Sequence, residues 1–118
     1  MKLVYASRMG HVESVVNQLG VTDVLKILTG DEMVNEPFVL FTYTDKVGEI
    51  PSIVSKFLEN NHKNLVAVIG SGSMERHAET FNFGAKKVSE KYGVELVRCI
   101  DLSGTSEDVK AIKEFLNQ

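Results

Sequence analysis

The chain has 118 residues, of which 43% are apolar and 25% are charged, and its formal net charge is −3. This composition is typical of a soluble globular chain, predicted to be a single domain over residues 1–118, and without a basic patch it argues against a nucleic-acid partner. No apolar run is as long as a membrane span, the first strand begins at Leu3, and the single cysteine cannot form an internal disulfide. We therefore expect no membrane partner, no signal peptide and a cytoplasmic location.

Five apolar segments of the chain predict β-strands. Most of them are continuous apolar runs, which is typical of strands that are buried on both faces of a parallel sheet. The second segment has the least support and predicts an edge strand. In chain order the segments are Leu3–Ala6, Val24–Leu28, Phe38–Thr44, Leu65–Ile69 and Val94–Ile100.

Amphipathic segments between these strands predict helices. Apolar residues recur at helical spacing from Val12 to Leu19, directly after the first strand. Pro51 predicts the first turn of a second helix, because proline is favoured there. A third helix is predicted over residues 81–92. Thr105 and Asp108 resemble a capping box at the start of a fourth helix.

The alternation of strands and helices predicts an α/β fold. Parallel strands are joined by right-handed crossovers, so this order calls for a parallel sheet with helices on both faces. In a chain of this size the strands suggest the spatial order 2-1-3-4-5, which is the order of flavodoxin, with its flavin at the switch point between strands one and three. We therefore predict a flavodoxin-like three-layer sandwich with a five-stranded parallel sheet.

The loop after the first strand is predicted to bind a phosphate. A strand that turns tightly into a helix leaves backbone N–H groups unpaired, and the positive end of the helix dipole adds to their attraction for an anion. Gly10 lets an anion approach the backbone closely, and Arg8 offers a charged donor. From spacing alone, a capped turn with a surface arginine is an equally good interpretation.

The loops after the third and fourth strands emerge at the same edge of the predicted sheet and are expected to hold a flat aromatic ring. Tyr43 or Val47 is expected to cover the face of the ring, and the peptides around Lys46 and Gly48 to reach its edge. The third loop, Gly70–Ser73, is a flexible segment able to bring backbone N–H groups to the ring. A half-buried tyrosine at a strand end is an equally good interpretation of Tyr43.

Other side chains in these loops carry weaker signals. Phe81 is more often a core residue than a ligand contact, and His77 is more often a solvated loop histidine. The histidines have neither metal-ligand spacing nor a carboxylate cluster. We therefore predict no metal site, and no catalytic side chain.

Seven segments along the chain carry a family resemblance. They are Glu36-Pro37-Phe38-Val39-Leu40, Thr42-Tyr43-Thr44, Gly48-Glu49-Ile50-Pro51, Phe57-Leu58-Glu59-Asn60, Ile69-Gly70-Ser71-Gly72, Val88-Ser89-Glu90-Lys91-Tyr92 and Leu102-Ser103-Gly104-Thr105. Their order and spacing cover the chain almost end to end. Together they resemble the NrdI family of flavodoxin-like ribonucleotide reductase stimulatory proteins.

The resemblance implies an FMN-binding redox protein whose flavin carries the chemistry. In that family the reduced flavin reacts with dioxygen and supplies an oxidant, superoxide, that activates the dimanganese radical-generating subunit of a class Ib ribonucleotide reductase. The implied partners are that subunit, dioxygen and a reductant or flavodoxin reductase. The implied role is that of a redox activator in cofactor assembly, not of a stand-alone metabolic enzyme. The alternatives are a one-electron carrier of flavodoxin type and a flavodoxin-like binding module that has lost FMN.

The residues predicted to bind FMN come from the three loops. They are Ser7, Arg8, Met9, Gly10, His11, Val12, Thr42, Tyr43, Thr44, Lys46, Val47, Gly48, Ser71, Gly72, Ser73, His77 and Phe81.

The same three loops depart from the family pattern. Met9 and His11 replace a threonine and an asparagine in the first loop, and Lys46 and Val47 replace a glycine and an aromatic residue in the second. The segment 73–80 lacks the tryptophan that the family carries there. These departures concern flavin affinity and redox tuning, and they leave the strands unchanged.

Overall fold

The computed structural model describes residues 1–44, 48–73 and 82–117. Within these ranges the chain forms five strands, four α-helices and one short 3₁₀ helix. The strands are β1 (Lys2–Tyr5), β2 (Val24–Lys26), β3 (Phe38–Tyr43), β4 (Leu65–Gly72) and β5 (Glu95–Asp101). The helices are α1 (His11–Leu19), α2 (Ser52–Asn61), α3 (Phe83–Tyr92) and α4 (Ser106–Leu116), and the 3₁₀ helix covers His62–Asn64.

The strands form a parallel sheet in the order β2-β1-β3-β4-β5. This confirms the predicted α/β architecture and strand order. Tyr5 of β1 pairs with Phe41 of β3, and Tyr43 of β3 pairs with Ser71 of β4. The carboxyl ends of these strands therefore lie at one edge of the sheet. The chain leaves β1 and β3 on opposite sides, and this switch point creates a crevice between their loops.

Each face of the sheet carries its own apolar core, because successive side chains of a strand point to opposite faces. On one face, α1 and α4 cover Leu3, Val39 and Ile69. On the other face, α2 and α3 cover Val4 and Leu40. Burial of both faces explains why the strands read as continuous apolar runs in the sequence.

The helix ends agree with the sequence in most respects. The capping box is present: the Thr105 hydroxyl accepts the Asp108 N–H at 3.3 Å, and the Asp108 carboxylate accepts the Thr105 N–H at 2.8 Å. Pro51, by contrast, is the N-cap of α2 and does not lie in its first turn. Its ψ of 139° is extended, although its φ of −55° would suit a helix.

Gly70–Gly72 was predicted to be a flexible loop, and this prediction is wrong, because the segment belongs to β4. Its residues pair with β3 on one side and with β5 on the other. At Gly70 a glycine is needed for packing, since a Cβ there would lie 2.2 Å from Asn82 Oδ1. Strand pairing thus extends the rigid sheet to the edge where the third loop begins.

None of the helices in the described ranges is both long enough and apolar enough to cross a lipid bilayer.

Candidate functional site

A cavity of about 410 Å³ opens at the carboxyl edge of the sheet. Its size is at the lower end of the range for small-molecule sites, about 300–1,000 Å³. The structure brings together residues from all three predicted loops, with one residue from the connection after β5. The lining residues are Ser7, Arg8, Met9, His11, Val12, Tyr43, Thr44, Ser71, Gly72, Ser73 and Leu102.

The N-terminus of α1 borders this cavity. Its N-cap is Gly10, in a left-handed conformation with φ +88°, and a glycine has no side chain with which to cap the helix. The Ser7 hydroxyl accepts the N–H of Glu13 at a long 3.4 Å, and the Gly10 carbonyl accepts the Ser14 N–H at 2.9 Å. A Cβ at Gly10 would meet no atom within 4 Å, so the space in front of this turn is open.

Arg8 and Tyr43, predicted to serve different parts of a ligand, contact each other in the cavity. The guanidinium carbon of Arg8 lies 5.4 Å from the centroid of the Tyr43 ring, which is a cation–π distance. The ring of Tyr43 is partly buried and Arg8 is exposed. A cation and an aromatic face therefore stand side by side at the wall of the cavity.

Several predicted residues do not line the cavity. Thr42 is fully buried, and its hydroxyl donates to the Tyr43 carbonyl at 2.9 Å. Gly48 has a φ of +83° and packs against Phe83, where a Cβ would lie 2.9 Å from the ring. Gly10 lies beside the cavity as the N-cap of α1. The predicted residues outside the described ranges are Lys46, Val47, His77 and Phe81.

The connection after β5 contributes a residue that the sequence analysis missed. Leu102 lines the cavity and has a φ of +55°, which is rare for a bulky side chain. Its N–H donates to the Gly72 carbonyl at 2.6 Å, and the Ser71 hydroxyl donates to its carbonyl at 2.7 Å. His11 Nδ1 lies 3.2 Å from the Ser103 hydroxyl, which joins the same connection to the first loop. One feature of the predicted fold could have indicated Leu102: β5 lies beside β4, so the connection after β5 emerges at the same edge of the sheet as the third loop.

Beside the first loop, three polar side chains form a hydrogen-bonded cluster. The Tyr5 hydroxyl and Lys26 Nζ each donate to the same oxygen of Glu13, at 2.9 Å. The bond from Lys26, followed by that from Tyr5, lowers the pKa of Glu13. Burial of the phenol, followed by its bond to Glu13, raises the pKa of Tyr5 to about 12. Glu13 is therefore ionised and Tyr5 neutral at pH 7.

The donors around the first loop suit a phosphate monoester. Backbone N–H groups at a helix N-terminus, a hydroxyl at Ser7 and a guanidinium at Arg8 are the groups that bind phosphate in proteins. The open space at Gly10 leaves room for an anion to approach the backbone. Among the described residues, no group of three histidine, cysteine or acidic side chains is placed to hold a metal ion.

The fold and the position of the cavity define a flavodoxin-like α/β protein. Solved flavodoxin structures share the fold. A short-chain flavodoxin associated with a non-canonical PDU bacterial microcompartment superposes with a TM-score of 0.70 at 24% identity, over 98% of this chain and 93% of that one. A point mutant of the Fusobacterium nucleatum flavodoxin, bound to flavin mononucleotide, superposes with a TM-score of 0.61 at 14% identity, over 99% and 92% of the two chains.

Sequence comparison gives the family. The family model described as NrdI Flavodoxin like matches residues 3–114. Protein NrdI of Bacillus licheniformis is 36% identical over 110 residues, which cover 93% of this chain and 82% of that protein. The chain therefore belongs to the NrdI flavodoxin-like family, which confirms the resemblance in the sequence.

Proposed function

We propose that this chain binds FMN in the cavity and acts as a redox activator of a ribonucleotide reductase. The observation that carries the proposal is the N-terminus of α1, which borders the cavity and whose N-cap, Gly10, has no side chain to accept its N–H groups. Two findings support it: membership of the NrdI family, and a fold shared with a flavodoxin that was solved with flavin mononucleotide bound.

The FMN phosphate is proposed to bind at residues 7–12. Backbone N–H groups at the start of α1 donate to it, and the helix dipole favours its negative charge. Ser7 supplies a hydroxyl and Arg8 a charge-assisted hydrogen bond. Gly10 holds the turn in a left-handed conformation with open space in front of it, which supports close approach of the anion.

The flavin ring is proposed to lie between the connections after β3 and β4. Tyr43 offers an aromatic face at the cavity wall, and Ser71–Ser73 offers backbone and hydroxyl groups at the ring edge. Apolar contact comes from Met9 and Leu102, which line the same cavity. Four further residues, outside the described ranges, belong to the proposed site on sequence grounds alone: Lys46, Val47, His77 and Phe81.

The chemistry belongs to the cofactor, and the chain binds and orients it. When bound, reduced FMN would supply an electron to dioxygen, which would give superoxide. The proposed recipient of this oxidant is the dimanganese centre in the radical-generating subunit of a class Ib ribonucleotide reductase, the role that the family implies. Electrons return from a reductant or a flavodoxin reductase.

The proposal is tested by radical formation in the partner. The FMN-loaded protein is reduced without oxygen, mixed with the Mn(II)-loaded class Ib radical subunit, and exposed to dioxygen. We expect a protein radical signal in the electron paramagnetic resonance spectrum, with the oxidised protein and free reduced FMN as controls. Equal signals from the protein and from free reduced FMN would contradict the proposal.

The same preparation separates the alternatives. A protein that retains FMN, transfers single electrons to an acceptor protein and yields no radical would be an electron carrier of flavodoxin type. A protein that neither retains FMN on purification nor quenches added FMN would be a flavodoxin-like binding module. Because FMN retention is read before the partner is added, the loss of the flavin is distinguished from the loss of the partner.

A further inference from the structure

The cluster of Tyr5, Glu13 and Lys26 places a carboxylate in the first turn of α1. Both partners hold the same oxygen of Glu13 at 2.9 Å, one from β1 and one from β2. The Tyr5 side chain is buried, whereas those of Lys26 and Glu13 are 38% and 39% exposed. The ion pair thus contacts the buried Tyr5 on one side and is exposed to solvent on the other.

This carboxylate stands at the end of α1 where the phosphate of FMN is proposed to bind. An acidic residue in the first turn stabilises a free helix, because it interacts with the positive end of the helix dipole. A phosphate monoester at the same end carries about 1.5–2 negative charges at pH 7, so an unpaired Glu13 would repel it. Glu13 is also linked directly to the proposed phosphate loop, because its backbone N–H donates to the Ser7 hydroxyl.

We propose that Lys26 is a positioning residue for phosphate recognition, acting through Glu13, whose charge it neutralises beside the nucleotide's phosphate. Tyr5 holds the carboxylate at the edge of β2, within reach of Lys26. The inference rests on the proposed FMN site and adds to it two residues that do not line the cavity. On this proposal the ion pair of Lys26 and Glu13 increases the preference of the site for a phosphorylated flavin over an unphosphorylated one.

The test compares the affinities of FMN and riboflavin, read by fluorescence quenching, for Lys26→Met, Glu13→Gln and the double variant. We expect Lys26→Met to weaken FMN about threefold to tenfold, because the carboxylate is left unneutralised near the phosphate. Glu13→Gln keeps an oxygen for the Tyr5 hydroxyl and removes the charge, so it should strengthen FMN binding about threefold. The double variant should bind FMN at least as tightly as the wild type.

Riboflavin and a second lysine provide the controls. Riboflavin lacks the phosphate, so its affinity should stay constant across the series. Lys2→Met removes one positive charge at the opposite end of β1, where Lys2 pairs with Asp23 at 2.7 Å, and should leave FMN binding unchanged. Raising the salt concentration should shrink the difference between Lys26→Met and the wild type, because exposed charges are screened.

The outcomes separate this inference from the proposed function. If neither single substitution changes FMN affinity, if both weaken it, or if riboflavin affinity changes together with FMN affinity, the cluster is a purely structural contact and the inference is wrong. The proposed site stands in that case. If the wild type binds neither FMN nor riboflavin, the proposed function and this inference are both wrong.

Discussion

A set of backbone N–H donors follows β1 and another follows β2, and the two sets differ in the groups that accept their hydrogen bonds. After β2, the N–H groups of Leu28, Thr29 and Gly30 donate to the carboxylate of Glu32 at 2.8, 3.0 and 2.9 Å. After β1, the N-terminus of α1 meets a cavity. Its N-cap is a glycine, and the Ser7 hydroxyl accepts the Glu13 N–H at a long 3.4 Å. One set of donors thus holds a carboxylate of the chain itself, and the other is the set that we propose holds an anion from outside.

The filled set is embedded in the fold. Asn61 is buried, and its side-chain amide donates to the Glu32 carbonyl and accepts the Val34 N–H, both at 2.8 Å. At Gly30 a Cβ would lie 2.9 Å from the Ile53 carbonyl oxygen, so the turn packs closely on α2. The turn at Gly10 has no such neighbour within 4 Å. The second turn is therefore packed into the fold, whereas the space at Gly10 is open, as the proposed phosphate site requires.

The largest expected effect comes from Gly10→Val. A branched side chain there stands where the phosphate is proposed to bind, and we expect FMN affinity to fall by about a hundredfold or more, the equivalent of losing one or two charge-assisted hydrogen bonds. Gly20→Val is the matched control, because Gly20 is the C-cap of the same helix, α1. It also has a positive φ, +65°, and a Cβ there would meet no atom within 4 Å. Both variants carry backbone strain of about 1–2 kcal/mol.

Fluorescence quenching measures FMN affinity in the two glycine variants, and thermal unfolding measures their stability. We expect similar losses of stability and a loss of FMN binding in Gly10→Val alone. Full FMN affinity in Gly10→Val would show that the phosphate binds elsewhere.

Glu32→Ala should act on stability and not on the flavin. Partial burial raises the pKa of Glu32, but the N–H groups of residues 28–30 and of Glu32 itself together outweigh it and lower the pKa from 4.5 to about 2. Removing the carboxylate should destabilise the protein by roughly 2 kcal/mol, a value discounted for partial exposure, and leave FMN affinity unchanged. Denaturant unfolding at pH 7 measures the loss, with Glu59→Ala on the exposed face of α2 as the control.

The pH dependence of stability provides a second test of the hydrogen bonds to Glu32. Because the folded state lowers the pKa of Glu32, its contribution is present above pH 4.5 and is lost as the pH falls from 4.5 towards 2. The difference in the free energy of unfolding between the wild type and Glu32→Ala should therefore shrink over this window. A difference that stays constant down to pH 2 would mean that the hydrogen bonds to the carboxylate are not its source.

Arg8→Met should have the smallest of these effects. It keeps an apolar side chain near the Tyr43 ring and removes the charge, so FMN affinity should fall by about tenfold and riboflavin affinity should hold. The slope of FMN affinity against salt concentration should also flatten. Equal losses for FMN and riboflavin would place the role of Arg8 at the ring and not at the phosphate.

The sequence predicted the parts of the fold that local patterns decide. Phe38–Tyr43 is apolar on both faces, and Val12, Val15 and Leu19 recur at helical spacing, so burial of the sheet and of α1 is visible in the chain itself. Gly70–Gly72 was misassigned because glycine and serine have low strand propensity. Pairing of this segment with β3 and β5 decides its conformation, and those contacts are distant in sequence.

The site was less visible than the fold, for a related reason. The grouping of loops follows from the strand order, so Ser7, Tyr43 and Ser71 were expected at one edge. Leu102 was missed because its position depends on a φ of +55° and on hydrogen bonds to the end of β4. The pair of Lys26 and Glu13 joins β2 to α1, and periodicity along either segment carries no sign of it.

The most direct test of the phosphate site is the ratio of FMN to riboflavin affinity in the wild-type protein. Both affinities are measured by fluorescence quenching in the same buffer and at the same salt concentration. We predict that FMN binds at least about a hundredfold more tightly, because the helix N-terminus and Arg8 act on the phosphate that riboflavin lacks. Equal affinity for the two flavins, or no quenching of either, would contradict a phosphate site at the start of α1.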